Sequence, residues 1–558
     1  DLSAPRTKHI ASSHAPTSLR TTMLEAKILT ESAAVGSYLG TLSFFLVITF
    51  FAAYLNKSLY TGDVEKRTET YVAARNTQGS LAIALSFFAS GAGAWVLFTV
   101  PEAAILGGPV AIIGYTVSCL VPVAIFGCVG PYMRRNLPQA CTFFEYIQAR
   151  YGTVVNVYCT LVSLFYMLLY LSAEFTSIGA CVTSLSELTS PLGPVIATSI
   201  VTLLYTSVGG LPVSLFTDKV QGAGILVFTV LVCVAAFGFY EMPTATDDKT
   251  IIANWEIVTT WGIGGTPSNA FKMAFTLISA VTCANLMHSG FQQRIWAAQG
   301  DAQVRRGAIG GILLTIPFMA LFGVLGMISF AQYGFGGLVA VGPDNTYLAF
   351  LAAFFLIGKM PVAWQAIGIV LAVMLVASSA DTLQTGVAAL LKPITTKALN
   401  LYKPGAAADT RVLMSLNFAL AIALVNVPAI ALSTAGVSVL SLFVMADLVC
   451  ATCVVPILMG LSDRTHPVAA AAGCFAGFIS ALLIYLVGVG GENGDTPMKM
   501  LVQAGGLYSD TSLVAFLVVP AASFLATVVV NIPYHMRGYR FAGFGQLPTT
   551  AATPSIKA

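Results

Sequence analysis

The stretch LAVMLVASSADTLQTG, residues 371–386, places hydroxyls and a carboxylate inside a long apolar run. On a helix, Ser378, Asp381, Thr382 and Thr385 would stand at i, i+3, i+4 and i+7, and therefore on one face. A carboxylate at bilayer depth is expensive, so it normally faces a cavity or a partner. Such oxygens suit Na⁺ or a proton and not a soft metal. The alternative is that the hydroxyls bond back to helix carbonyls and hold helices together.

The whole composition is that of a polytopic membrane protein. Of the 558 residues, 57% are hydrophobic and 9% are charged, and the mean hydropathy is +0.83. Soluble proteins are typically about 25% charged. The net charge of +3 carries no signal for a nucleic-acid partner. We find no metal-ligand spacing, phosphate loop or nucleophile elbow, so nothing predicts an enzyme.

The apolar runs predict an all-α integral membrane protein with 13 transmembrane helices, because one span needs about 20 apolar residues. The runs are 35–55, 81–104, 109–129, 153–185, 192–210, 220–240, 270–297, 306–333, 362–391, 411–432, 434–459, 467–489 and 512–533. We expect residues 347–391 to break at 358–364 into a short outer helix and a span. Residues 143–152 should form a short helix before the span at 153–185.

These runs leave one transmembrane domain, residues 35–535, between two tails. Residues 1–34 are polar and are expected to form a disordered tail, although their composition also resembles an organellar targeting segment. Residues 536–558 form a short cytoplasmic tail in this scheme. Lys and Arg are concentrated in the loops that lie inside if the N-terminus is outside, which predicts an N-out, C-in orientation.

The second apolar run contains two glycines, Gly91 and Gly93, followed by Pro101, and these residues weaken a helix. Interrupted helices at membrane depth are tolerated where the backbone faces a cavity or other protein. Freed carbonyls near Ala89 and Ala92 would then be able to bind a cation. The alternative is a packing face of small residues.

Three further ionisable residues fall in or beside apolar runs. The position of Asp218 at the start of a run favours a helix cap, and a cation exit site is the alternative. Glu174 lies in mid-span, where an ionisable residue is a functional candidate by default. His288 could take part in a proton step or serve only in packing.

Four stretches together resemble the solute:sodium symporter family: ASGAGAW (89–95), YTSVGGLPVSLFTDKVQ (205–221), FQQRIWAAQGDAQVRRG (291–307) and VASSADTLQ (376–384). The resemblance covers roughly residues 35–535 and is greatest to the urea/polyamine transporter branch. It implies the five-plus-five inverted-repeat fold of LeuT-type transporters, with repeats at about 81–240 and 270–459. Members of that branch tend to carry an acid where His288 stands in this chain.

The resemblance also implies a set of binding residues. The main sodium site would use backbone oxygens of Ala89, Ala92 and Leu375 with the hydroxyls of Ser378 and Ser379. A second cation or proton step would involve Asp218, Asp381 and Thr382. The residues near the substrate cavity would be Trp95, Glu174, Asn285 and His288.

We therefore expect a secondary active symporter in which Na⁺ or H⁺ drives uptake of a small polar solute such as urea, a polyamine or an amino acid. No cofactor beyond the coupling ion is expected, and the other partner is membrane lipid. The plasma membrane is the expected location, with an organellar membrane as the alternative. A transporter-like sensor and a passive solute channel remain alternative functions.

Overall fold

The computed structural model describes residues 29–56, 64–239, 249–334, 338–341, 346–350, 360–401, 410–435, 439–487 and 510–544. The helices and strands in chain order are α1 (Glu31–Leu55), α2 (Val64–Ala73), α3 (Ser80–Gly91), α4 (Val96–Asn136), α5 (Phe143–Tyr151), α6 (Thr153–Leu185), α7 (Leu192–Phe239), α8 (Lys249–Thr260), α9 (Pro267–Leu286), α10 (Ser289–Ala297), α11 (Asp301–Tyr333), β1 (Leu338–Val341), β2 (Thr346–Phe350), α12 (Val362–Leu390), α13 (Lys392–Leu401), α14 (Thr410–Ser433), α15 (Val439–Met459), α16 (Pro467–Val487) and α17 (Asp510–Met536).

Within these residues, 10 helices are long and apolar enough to cross a membrane, or 11 if the bent pair α9 and α10 counts as one span. The chain is therefore an integral membrane protein with an all-helical membrane region. The count of 13 spans and the orientation stay predictions. The tails were predicted at residues 1–34 and 536–558, and of these residues 1–28 and 545–558 lie outside the described part of the chain. Helix α1 begins at Glu31, inside the predicted N-terminal tail.

The difference in span count comes from two long helices that each cover more than one predicted run. Helix α4 has 41 residues and α7 has 48, and each contains a glycine with positive φ, Gly108 (61°) and Gly210 (55°). A straight helix of this length would extend about 60 Å or more at about 1.5 Å per residue, twice the apolar thickness of a bilayer. The glycine breaks therefore lie where the sequence suggested the ends of separate spans.

Two local predictions have opposite outcomes. The short helix before α6 is confirmed as α5, which has a capping box between Thr142 and Glu145. The prediction of a short outer helix that starts at residue 347 is wrong over residues 347–350. These residues belong to strand β2, which pairs with β1 as an antiparallel hairpin. Thr, Tyr and Phe in TYLAF favour a strand over a helix. Residues 351–359 of that prediction lie outside the described residues.

Helices α12 and α15 occupy the interior of the helical assembly. In their most apolar windows 67% and 72% of the residues are buried, compared with 28% for α17. Helix α12 packs against α7, α6 and α3, and α15 packs against α6, α9 and α16. The polar stretch in residues 371–386 is thus enclosed by protein. The exposed surface carries apolar side chains such as Leu424 on α14, as expected for a surface that faces lipid.

Candidate cation and solute site

Helix α3 ends at Gly91, and the chain runs through a non-helical segment before α4 starts at Val96. The amide of Gly93 donates to the carbonyl of Gly91 (3.2 Å), and the amide of Val96 donates to the carbonyl of Gly93 (3.2 Å). In a continuous helix these two amides would serve the carbonyls of Ala89 and Ala92. Both carbonyls consequently lack their usual helical donor, as predicted for an interrupted second span.

The side chain of Glu174, on α6, packs against the non-helical segment between α3 and α4 and binds its backbone. Its Oε2 accepts a hydrogen bond from the amide of Ala94 (2.8 Å), and Oε1 has no hydrogen-bond partner among the described residues. A Cβ added to Gly93 would lie 1.7 Å from Oε1, so only glycine permits this approach. The carboxylate therefore supports the interrupted backbone and is not among the residues that line the cavity.

A second break separates α9 from α10, which are bent by 59° at Met287 and His288. Side chains supply donors to its carbonyls: Gln292 Nε2 donates to Leu286 O (2.8 Å), and Ser163 Oγ donates to Met287 O (2.8 Å). His288 is 3% exposed, and its Nδ1 has no partner among the described residues. The ring stacks on Phe291 with a centroid distance of 4.3 Å.

One cavity lies between the two breaks and is bounded by residues from both. Of the predicted substrate-cavity residues, Trp95, Asn285 and His288 line it, and Glu174 does not. The other polar lining residues include Ser90, Thr315 and Ser379. The aromatic lining residues are Phe87, Phe88, Trp95, Tyr115, Tyr170, Phe291, Phe318 and Phe443.

Asp218 and Arg294 form a buried ion pair. Arg294 Nη2 lies 2.9 Å from Asp218 Oδ2, and both side chains have 0% exposure. Ser86 Oγ donates to the same carboxylate oxygen (2.5 Å), and Ser378 Oγ donates to the other (3.1 Å). The favoured interpretation of Asp218 as a helix cap is wrong, because the residue lies inside α7 beyond the break at Gly210.

The predicted cation residues fall into two neighbouring groups. Ser378 and Thr382 join the ion pair, since Arg294 Nη2 also donates to Thr382 Oγ1 (2.8 Å). Asp381 contacts α7 instead, where Thr206 Oγ1 donates to its Oδ1 (2.6 Å). Its Oδ2 is buried without a partner among the described residues.

The remaining predicted ligands are distributed along α3 and α12. Ala92 and Ser379 both line the cavity, so the structure brings these two together. Ala89 and Leu375 are fully buried on the same two helices, which are in contact. Ser378 faces Asp218 rather than the cavity lining.

Sequence reasoning missed two residues at this site. Arg294 lies within the stretch 291–307 quoted above and received no role there, yet it is completely buried. Asp447 on α15 is 1% exposed and accepts a hydrogen bond from the Tyr170 hydroxyl (2.9 Å). Both have a charge inside an apolar stretch, the signal that singled out Glu174 and Asp381.

Comparisons with known proteins identify a family and several relatives that this chain resembles. A sequence model of the sodium:solute symporter family matches residues 71–479. The spermidine transporter DUR31 of Candida albicans (strain SC5314 / ATCC MYA-2876) is 25% identical over 466 residues, covering 82% of this chain and 83% of that protein. The sodium/sialic acid symporter NanT of Aliivibrio fischeri (strain ATCC 700601 / ES114) is 22% identical over 357 residues, covering 61% and 67%.

The fold also matches a solved structure, that of a Na⁺-coupled sialic acid symporter in a substrate-bound outward-open state. The TM-score is 0.65 at 15% identity, and the match covers 92% of this chain and 99% of the other. At this identity the likeness shows the fold.

Proposed function

Because this chain belongs to the sodium:solute symporter family, we propose that it is a secondary active transporter that couples inward movement of Na⁺ to uptake of a small solute. Sodium enters the site between α3 and α12 and favours the arrangement that binds the solute. A cation can couple to transport only through different affinities for the two arrangements. The membrane potential supplies about 2.3 kcal/mol per charge per 100 mV.

The observation that carries this proposal is the pair of carbonyls, Ala89 and Ala92, left without helical donors. Carbonyl and hydroxyl oxygens are the ligands that hard cations prefer. We assign the main cation site to the backbone oxygens of Ala89, Ala92 and Leu375 with the hydroxyls of Ser378 and Ser379. All five residues are buried: Ala89 lies on α3, Ala92 directly follows its end, and the other three lie on α12, which contacts α3.

The second cation or proton step uses Asp218, Asp381 and Thr382 in this proposal. Asp218 is held by Arg294, so a cation that reaches Asp218 must share or displace the guanidinium. Asp381 keeps one carboxylate oxygen without a partner among the described residues, which makes it the more available of the two acids. A proton at Asp381 would be the route to H⁺ coupling.

The solute candidates are a polyamine, urea and an amino acid, taken up across the plasma membrane. Similarity to a spermidine transporter supports a polyamine more than urea. The cavity contains hydrogen-bonding side chains at Asn285, His288 and Ser379 among mainly aromatic walls. Such a lining suits a small solute that has both apolar and polar parts.

Uptake by the purified protein in liposomes tests the proposal. Radiolabelled putrescine, spermidine, urea and amino acids are supplied with an inward Na⁺ gradient, with a pH gradient, or with neither. We expect accumulation above equilibrium only with the Na⁺ gradient. Equal flux without any cation gradient would indicate a passive channel, and binding without flux would indicate a sensor.

A further inference from the structure

The cavity has an acidic residue directly behind its aromatic wall. Phe443 on α15 lines the cavity, and Asp447 stands one helical turn further on the same face. Tyr170, which also lines the cavity, donates its hydroxyl proton to Asp447 Oδ1 (2.9 Å). One hydroxyl therefore separates this carboxylate from the cavity.

Asp447 has no cationic partner in the part of the chain that the structure describes. None of the ion pairs found there includes it. The buried Arg294 does not supply the missing charge, because its donors serve Ser86, Gly290, Asp218 and Thr382. A carboxylate at this depth is costly unless a function or a partner compensates for it.

The walls beside Asp447 favour a positive charge. The rings of Tyr170 and Phe443 are 4.2 Å apart, and Trp95 meets Phe443 edge-on at 5.7 Å. Tyr115 stacks on Trp95 at 5.5 Å. Aromatic faces attract ammonium groups, most strongly where water is excluded.

The remaining polar lining consists of hydrogen-bond acceptors or groups that can accept. His288 Nδ1 is buried and without a partner among the described residues. Asn285 and Ser379 offer an amide oxygen and a hydroxyl. Among the described residues that line the cavity there is no Lys or Arg, so within them a carboxylate on a solute would have no charged partner.

We propose that Asp447 is the specificity-determining residue of the cavity and binds an ammonium group of the solute, which is a protonated aliphatic amine. The ammonium donates to the Asp447 carboxylate, beside the Tyr170 hydroxyl or in its place, while Trp95 and Phe443 enclose the positive charge. This inference rests on the proposed symport and adds the substrate class that the site selects.

Asp447→Asn tests the carboxylate in sodium-driven uptake of putrescine. We expect the KM for putrescine to rise by about ten-fold or more, as for the loss of one charge-assisted contact, with the half-saturating Na⁺ concentration changed by less than about two-fold. Asp447→Glu should retain most of the preference for amines.

Tyr170→Phe should raise the KM for putrescine less than Asp447→Asn does. Glu187→Gln serves as control, because Glu187 is an exposed acid outside the cavity. A wild-type KM in folded Asp447→Asn protein would overturn the inference.

A competition experiment with the wild-type protein keeps the inference testable if Asp447→Asn does not fold. Putrescine should inhibit uptake of the labelled solute, while 1,4-butanediol, of the same length but neutral, should not. Equal inhibition by both compounds would overturn the inference. Sodium-driven uptake of a neutral or anionic solute without inhibition by amines would leave the symport proposal standing and remove the role of Asp447. Amine binding that depends on Asp447 but is never coupled to Na⁺ would support the role of Asp447 and contradict the symport proposal.

Discussion

The guanidinium of Arg294 and the carboxylate of Asp218 meet at 2.9 Å with both side chains excluded from solvent. The pair joins α10 to α7, and the hydroxyls of Ser86 on α3 and Ser378 on α12 bind the same carboxylate. Four segments that are distant in the chain therefore share one charged centre. If these helices move relative to one another, the contacts of Asp218 with Arg294, Ser86 and Ser378 must either break or move together as one unit.

We expect Arg294→Gln to destabilise the protein strongly, because it leaves the Asp218 carboxylate buried and unpaired. Loss of one partner of a buried pair typically costs about 3–5 kcal/mol. Thermal unfolding in detergent measures the effect, with Arg305→Gln at an exposed site as control. The double variant Asp218→Asn/Arg294→Gln should be more stable than Arg294→Gln alone. Equal stability of the two variants would contradict the charge-pair explanation.

We expect Asp218→Asn to slow turnover while changing the solute KM less. The amide keeps the shape of the side chain but weakens the contacts to Arg294 and Ser378, which bind α10 and α12 to α7. Single-turnover and steady-state uptake separate the two effects. Wild-type turnover in this variant would limit Asp218 to a structural role.

We expect Ser378→Ala to raise the half-saturating Na⁺ concentration by about ten-fold, with a smaller change in the solute KM, since one oxygen ligand is lost. Ser379→Ala should affect both constants, because Ser379 also lines the cavity. Ser480→Ala is the matched control, because the Ser480 hydroxyl donates to the carbonyl of Gly477 within its own helix α16. Unchanged sodium dependence in both Ser378→Ala and Ser379→Ala would remove these residues from the cation site.

We expect Gly93→Ala to abolish uptake or lower it by about ten-fold or more, because a methyl group cannot fit against Glu174 without displacing the break. The added Cβ would lie 2.5 Å from the Glu174 carboxyl carbon as well as 1.7 Å from Oε1. Gly40→Ala, where nothing lies within 4 Å, should leave uptake unchanged. Normal uptake by Gly93→Ala would show that the close approach is not needed.

We expect acidification to loosen the segment around His466, outside the membrane spans. Burial, together with the charge of Arg150, lowers the pKa of this imidazole below its usual value of 6.5. Its stabilising contribution is therefore complete above about pH 6.5 and falls as pH drops towards the folded-state pKa. The neutral ring stacks on Tyr534 at 3.7 Å, and its Nδ1 accepts from the amide of Val468 (3.1 Å).

Hydrogen exchange measures this effect. Exchange of the Val468 amide, corrected for its intrinsic pH dependence, should be faster at about pH 5.5 than at about pH 7.5. His466→Asn keeps an acceptor but does not titrate, so its exchange should no longer change with pH in this way. The same pH response in His466→Asn would assign the effect to another group.

The membrane class, most of the spans and the helix break at Gly91 and Gly93 were all predictable from the sequence. They depend on local properties: the length of apolar runs, glycine content and the spacing of hydroxyls on α12. The four motifs were also sufficient for the family, which the match to residues 71–479 confirms. Trp95, Asn285 and His288, which the family resemblance assigned to the substrate cavity, line a cavity of the structure, and their part in binding a solute stays a prediction.

Tertiary structure alone decided how the buried charges are partnered. Asp218 and Arg294 are 76 positions apart, and neither residue's neighbours in the chain indicate that the two meet. Asp447 became a candidate only when α15 packed against α6 and brought it to Tyr170. Apolar patterning is local and is written in the sequence, whereas the cost of a buried charge depends on which atoms of other helices lie within about 3 Å of it.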